Sequence, residues 1–122
     1  MVRIAISSEG PGLDEALDPR FGRAAGFVVV DPQTLDFDYI DNGPSQAMAR
    51  GAGIQAAEHV ANSGAEVVLT GYVGPKAFKA LQAAGIRVAQ DLADMTVRQA
   101  VEMFVNDKIE WAGRPNRQAH GR

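Results

Sequence analysis

Glu66-Val67-Val68-Leu69-Thr70-Gly71-Tyr72-Val73-Gly74-Pro75-Lys76-Ala77-Phe78 passes from an apolar run, through a glycine-bearing loop, into a segment that opens with proline. The run Glu66–Thr70 is short, rich in valine and without alternation, the pattern of a strand buried on both faces. Pro75 sits where a helix tolerates a missing N–H, and Gly85 follows its expected end at Ala84. Ile86-Arg87-Val88-Ala89 is then a second short strand. A strand, a helix and a strand joined by loops this short predict a parallel pair with a right-handed crossover.

Working outward, Val2, Ile4 and Ile6 alternate with Arg3, Ala5 and Ser7 as an opening strand. A loop runs from Ser8 to Gly22. Phe27-Val28-Val29-Val30 is a short buried strand, and Asp31-Pro32-Gln33-Thr34 fits a type I turn. Leu35, Phe37 and Tyr39 alternate with Asp36 and Asp38, which predicts a strand with one dry face. A helix is expected from about Gly51 to Asn62, with Ile54, Ala57 and Ala61 on its inner face and His59 exposed opposite. Thr96-Val97-Arg98-Gln99 is a capping box opening a last helix to about Asn106, with Val97, Val101 and Phe104 inward.

The order is β-β-β-α-β-α-β-α. A meander followed by parallel units predicts an α/β fold with a mixed five-stranded sheet, order 3-2-1-4-5, strand 2 antiparallel, flanked by three helices. That is the arrangement of the ribonuclease-H-like fold.

At 122 residues the chain has the length of one domain, expected over 1–107. Residues 108–122 hold four cations against Glu110, a balance of +3, which leaves −6 on the rest of a chain of net charge −3. This stretch reads as a basic, poorly ordered tail. Trp111 is expected to dock the last helix or a partner surface, and His120 to lie in the disordered tail. No apolar run approaches the ~20 residues of a membrane span, and the N-terminus has no signal-peptide pattern. Without cysteine there is no disulfide framework, thiolate metal site or cysteine nucleophile. The mild acidity argues against a nucleic-acid partner, and a cytoplasmic protein is expected.

Three segments point to chemistry. Asp18-Pro19-Arg20-Phe21-Gly22-Arg23-Ala24 is a cationic turn. Arg50-Gly51-Ala52-Gly53 opens a helix, where free N–H groups attract anions. Gly71–Phe78 lies at the carboxyl end of a strand, where open α/β sheets bind ligands. Arg50 and Lys76 stand near helix N-termini, against the dipole, unless an anion is bound there. The binding residues expected are Arg20, Arg23, Arg50, Gly51, Gly53, Gly71, Gly74 and Lys76, with the glycines admitting a bulky ligand close to the backbone. Met48, a soft donor, is expected to pack within its loop. No catalytic residue emerges. The first strand carries no carboxylate for a metal-dependent nuclease, although Glu9, Asp14 and Asp18 follow it, and two poorly placed histidines make no triad.

In order and spacing, Arg3–Ile6, Phe21–Ala24, Phe27–Asp31, Gly51–Gly53, Gly71–Phe78 and Ala84–Val88 resemble the nitrogenase iron–molybdenum cofactor biosynthesis family, the small cofactor-carrier domains of the NifX type. The resemblance spans about residues 2–105. It implies a ribonuclease-H-like domain that is not an enzyme. Such a domain binds an anionic iron–sulfur or iron–molybdenum cofactor precursor transiently, not covalently, and passes it to cofactor-assembly or nitrogenase-type proteins. Many relatives carry His just before the Phe-Gly of the turn; Arg20 stands there here. Arginine attracts an anionic cluster but stays protonated and does not ligate iron, so no metal ligand is assigned. A regulatory or protein-interaction domain without a cluster is the alternative, and a nuclease a more distant one.

Overall fold

The computed structural model describes residues 2–46, 48 and 50–116. The elements are β1 (Ile4–Ser8), β2 (Gly26–Val30), β3 (Phe37–Asp41), α1 (Gly43–Gln46), α2 (Ala52–Asn62), β4 (Val67–Leu69), α3 (Pro75–Ala83), β5 (Arg87–Ala89) and α4 (Val97–Val105). The five strands form one mixed open sheet in the order β3-β2-β1-β4-β5. β2 is antiparallel to both neighbours, and β4 runs parallel to β1 and β5. The first strand is central, and its side chains alternate between two buried faces.

That alternation divides the interior in two. Ile4, Ile6, Val28, Val30, Val67 and Leu69 face α4, where Val97, Ala100 and Val101 meet them. Ala5, Phe27, Val29, Val68 and Val88 face α2 and α3. Strands buried on both faces need no polar positions, so β1, β2 and β4 lack them except where β1 ends in the buried Ser7 and Ser8. Ser7 Oγ lies 2.7 Å from Thr70 Oγ1 and donates to the Asp18 carbonyl at 2.6 Å, so the hydroxyl is satisfied inside.

Four expectations change. The helices number four among the described residues, because α1 adds a single turn after Asn42. Four residues are too few to show a helical period. Leu35 is outside β3, with φ 66°, since Asp31 closes the loop by accepting from Gln33 N at 2.8 Å and Leu35 N at its carbonyl at 2.8 Å. The buried face of α2 is Ala52, Ala56, Ala57 and Val60, whereas Ile54 is 39% exposed and Ala61 exposed. The helix is rotated from the expected face because its small residues pack on α3. His59 is half-buried, with Nδ1 2.8 Å from Asn42 Oδ1. Asn42 Nδ2 donates to the Gly22 and Ala24 carbonyls, so its Oδ1 is the acceptor and His59 Nδ1–H the donor.

The capping box forms as read, with Gln99 N donating to Thr96 Oγ1 and Thr96 N to Gln99 Oε1. Phe104 is only half-buried and meets Trp111 edge-on at 6.2 Å. The stretch after α4 runs back along β5: Trp111 bridges Ala89, and Ala112 N donates to the Val88 carbonyl at 2.8 Å. Arg87 lies 3.7 Å from the centre of the Trp111 ring. His120 lies outside the described residues.

Because Trp111 fastens this stretch to both α4 and β5, Trp111→Ala is expected to lower stability by about 1–2 kcal/mol, part of the value of burying a large side chain. Thermal or urea unfolding measures it.

Candidate functional site

The turn after β1, the start of α2 and the loop after β4 meet at the carboxyl end of the parallel strands. They enclose a cleft of about 620 Å³. Its lining includes Arg20, Arg23, Arg50, Gly51, Gly53, Gly74 and Lys76, with Phe21, Gly22, Ala52, Ile54, Tyr72, Pro75 and Ala77. Of the expected residues only Gly71 is not among the lining.

Small residues allow this meeting. A Cβ on Gly22 would lie 3.0 Å from Gly53 Cα, and one on Gly53 would lie 3.0 Å from Ala77 Cβ. The turn therefore packs on α2, and α2 on α3, through a seam with almost no side chains. A Cβ on Gly71 would sit 2.5 Å from the Pro19 carbonyl oxygen. Gly53 and Gly71 thus make close contacts within the protein, and Gly53 also lines the cleft. Gly51, the residue before α2, has φ 76°, a left-handed conformation that costs other residues strain. Gly74 has open space around it.

Neither α2 nor α3 has a side chain capping its N-terminus, and neither has an acidic residue in its first turn. Their leading N–H groups are left to solvent or to an anion, in the positive ends of two helix dipoles. No carboxylate is among the cleft lining.

The four cations are not equivalent. Arg20 forms a bidentate pair with Asp18, Nε to Oδ1 at 3.1 Å and Nη2 to Oδ2 at 3.0 Å. Asp18 is 1% exposed and the Arg20 side chain 57%, so the charge is anchored from below and open from above. The hydrogen bonds that Arg20 donates to Asp18, and then the Asp18 charge, raise the Arg20 pKa further, keeping it cationic. Arg23 Nη1 donates to the Gln46 and Met48 carbonyls at 3.0 and 2.9 Å, which fastens the loop before α2. Arg50 and Lys76 make no hydrogen bond or ion pair to other described residues. The anchoring of Arg20 was not foreseen, although Asp18-Pro19-Arg20 is the spacing at which an Asp oxygen accepts from the backbone N–H two residues on; that bond forms at 3.0 Å.

Tyr72 is 45% exposed and Ile54 39% exposed, and they give the cleft apolar surface beside its charges. Among the described residues no group of three or more His, Cys, Asp or Glu could hold a metal ion. The arrangement can bind a bulky anion by charge, backbone N–H groups and apolar contact.

Residues 1–107 match the family described as dinitrogenase iron-molybdenum cofactor. The apo form of the orange protein from Desulfovibrio gigas is similar throughout, with 62% identity, 96% of this chain and 98% of that chain covered, and a TM-score of 0.93. A Thermotoga protein assigned to the DUF35 family and named after NifB is 31% identical, with 91% and 93% covered and a TM-score of 0.78. An uncharacterised protein of Methanocaldococcus jannaschii is 29% identical over 98 residues, 77% of this chain and 80% of its own.

Two predictions follow from the packing. Gly71→Ala is expected to cost about 1–3 kcal/mol, because Pro19 backbone must move, while Gly74→Ala, in open space but at the N-cap of α3, costs about 1 kcal/mol or less. Denaturant midpoints separate them. Arg20→Ala leaves the Asp18 carboxylate with only backbone donors, and is expected to cost about 1–3 kcal/mol, against no measurable loss for Lys76→Ala.

Proposed function

The chain belongs to the dinitrogenase iron-molybdenum cofactor family, and from that premise we propose that it is a binding and carrier protein for an anionic iron–sulfur or iron–molybdenum cofactor precursor, held in this cleft. The observation that carries the reading is the joining of four cations and two uncapped helix starts around one cleft without a carboxylate. The orange protein's structure as an apo form supports a group that is taken up and released. A family described by its cofactor supports the same class of cargo.

The side chains at the cleft fit an anion better than a bare metal ion. Thiolate and imidazole are absent from the lining, and arginine and lysine donate hydrogen bonds without ligating. The cargo's metals then keep ligands that they bring with them. Its sulfide or oxide faces meet Arg50, Lys76, the exposed face of Arg20 and the N–H groups at the starts of α2 and α3. Ile54 and Tyr72 cover apolar area that water otherwise wets. Binding without covalent attachment suits delivery, since release needs no bond to break. The proteins it exchanges cargo with would be cofactor-assembly or nitrogenase-type proteins.

The sheet order supports reading the fold as ribonuclease-H-like. A nuclease of that fold would need converging carboxylates for its metal ions, and the described residues supply no such group. This favours binding over catalysis.

The test is anaerobic titration with a synthetic [4Fe–4S] tetrathiolate dianion, read by visible absorption. Arg50→Ala and Lys76→Ala are each expected to weaken binding roughly five- to tenfold, about 1 kcal/mol per exposed charge. Melting temperatures should stay unchanged, since neither side chain has a partner among the described residues. Affinity should also fall as ionic strength rises past the point where screening acts within ~10 Å. Unchanged affinity in the double variant would place the site elsewhere.

A further inference from the structure

Asn116 lies beyond the family-matched stretch of residues 1–107, yet it is bonded to the loop whose Tyr72 and Gly74 line the cleft. Its Nδ2 donates to the Gly71 carbonyl at 2.8 Å and to Asp91 Oδ1 at 2.7 Å, and its Oδ1 accepts from Val73 N at 2.9 Å. One amide thus satisfies a backbone acceptor and a backbone donor on the loop that joins β4 to α3. Asn116 is itself held: its N–H donates to Gln90 Oε1 at 3.0 Å, and Gln90 Nε2 donates to the Arg114 carbonyl at 2.8 Å.

The other side of the same loop is paired with the cationic turn. Tyr72 N donates to the Pro19 carbonyl, Phe21 N donates to the Tyr72 carbonyl at 3.1 Å, and Arg20 and Tyr72 form a parallel bridge. The loop is therefore clasped between the turn that carries Arg20 and the segment that carries Asn116. At its end, Gly74 leads straight into α3 and Lys76.

We infer that Asn116 is a positioning residue of the anion cleft, fixing the Gly71–Gly74 loop and through it the placement of Arg20 and Lys76. This rests on the cleft being the anion site. Asn116 touches no cargo; it removes a freedom of the loop that binding would otherwise have to remove. Cleft and C-terminal segment are then coupled, and the coupling is reciprocal: a bound anion tightens the bond between Asn116 and Val73.

The experiment uses the full chain, the [4Fe–4S] tetrathiolate dianion as probe, and amide hydrogen exchange at Val73. In Asn116→Ala the dissociation constant should rise about fivefold or more, with faster exchange at Val73. Gln90→Ala loosens the segment without touching the loop and should move both readouts the same way by less. Asn116→Asp sets two carboxylates against each other at Asp91 and should weaken binding further. Adding Asp91→Asn restores a donor between the two positions at equal net charge and should recover part of the affinity, a rescue that a loss of bulk stability would not give. In wild type, probe should slow exchange at Val73. Faster exchange at Val73 with unchanged affinity in both Asn116→Ala and Gln90→Ala would overturn the inference, as would unchanged exchange. If wild type takes up no probe and Arg50→Ala with Lys76→Ala changes nothing, the cleft reading itself falls; if those two weaken binding and the Asn116 variants do not, only the positioning role does.

Discussion

A carboxylate removed from water must be met by donors, and Asp18 has four: Arg20 N, Nε and Nη2, and Ala25 N. Around this one buried charge the long β1–β2 connection acquires a single shape. Its main chain is fixed as well, since Asp18 N donates to the Ser7 carbonyl and the Ser7 hydroxyl to the Asp18 carbonyl. The Ser7 hydroxyl also contacts Thr70 at the end of β4. The loop is thereby tied to the ends of two parallel-paired strands. Breaking the pair would strand a charge in the interior, a far larger loss than that of a surface ion pair. The same geometry aims the outer face of Arg20 into the cleft, so folding and anion attraction use one side chain.

Around that fixed turn, the cleft is built from the absence of side chains. Gly22 against Gly53, and Gly53 against Ala77, bring the turn and the starts of two helices closer than ordinary residues permit. The starts of both helices, without a side-chain cap or an acidic residue in the first turn, line one shared volume. The proposed anion would replace solvent there with little reorganisation of the protein. Arg23 contributes from the edge by fastening the carbonyls of Gln46 and Met48. Asn42, fully buried, holds the Gly22 and Ala24 carbonyls from behind, with His59 on its other face.

Anchored and free cations divide the work. Arg20 and Arg23 hold walls, and their charge comes to the cleft already placed. Arg50 and Lys76 have no such duty and can follow the outline of whatever is bound. A site that receives and surrenders a cargo benefits from both: fixed groups give orientation at low entropic cost, and mobile ones adapt.

By itself the sequence determined the sheet. Apolar alternation in Ile4–Ile6, unbroken valine runs in β2 and β4, Pro75, Gly85 and the Thr96–Gln99 box act over a few neighbours, and each is visible as a local pattern. It also brought the three glycine-bearing, cationic segments to notice, because charges placed against helix dipoles are locally unfavourable. What only tertiary structure decided was the use of each residue. Gly53 and Gly71 read as room for a ligand, but their partners, Ala77 and Pro19, lie far along the chain. Arg20 is legible only as one cation of a turn, whereas the carboxylate that anchors it, Asp18, is buried beneath it by the fold. The face of α2 turned because α3, absent from its own periodicity, chose the small residues over Ile54. Asn116, in a stretch without pattern, found bonding partners at Gly71 and Val73. Local periodicity records which residues avoid water; it holds no record of which distant group will satisfy a buried charge or amide, because that pairing exists only once the sheet has brought the ends of its strands together.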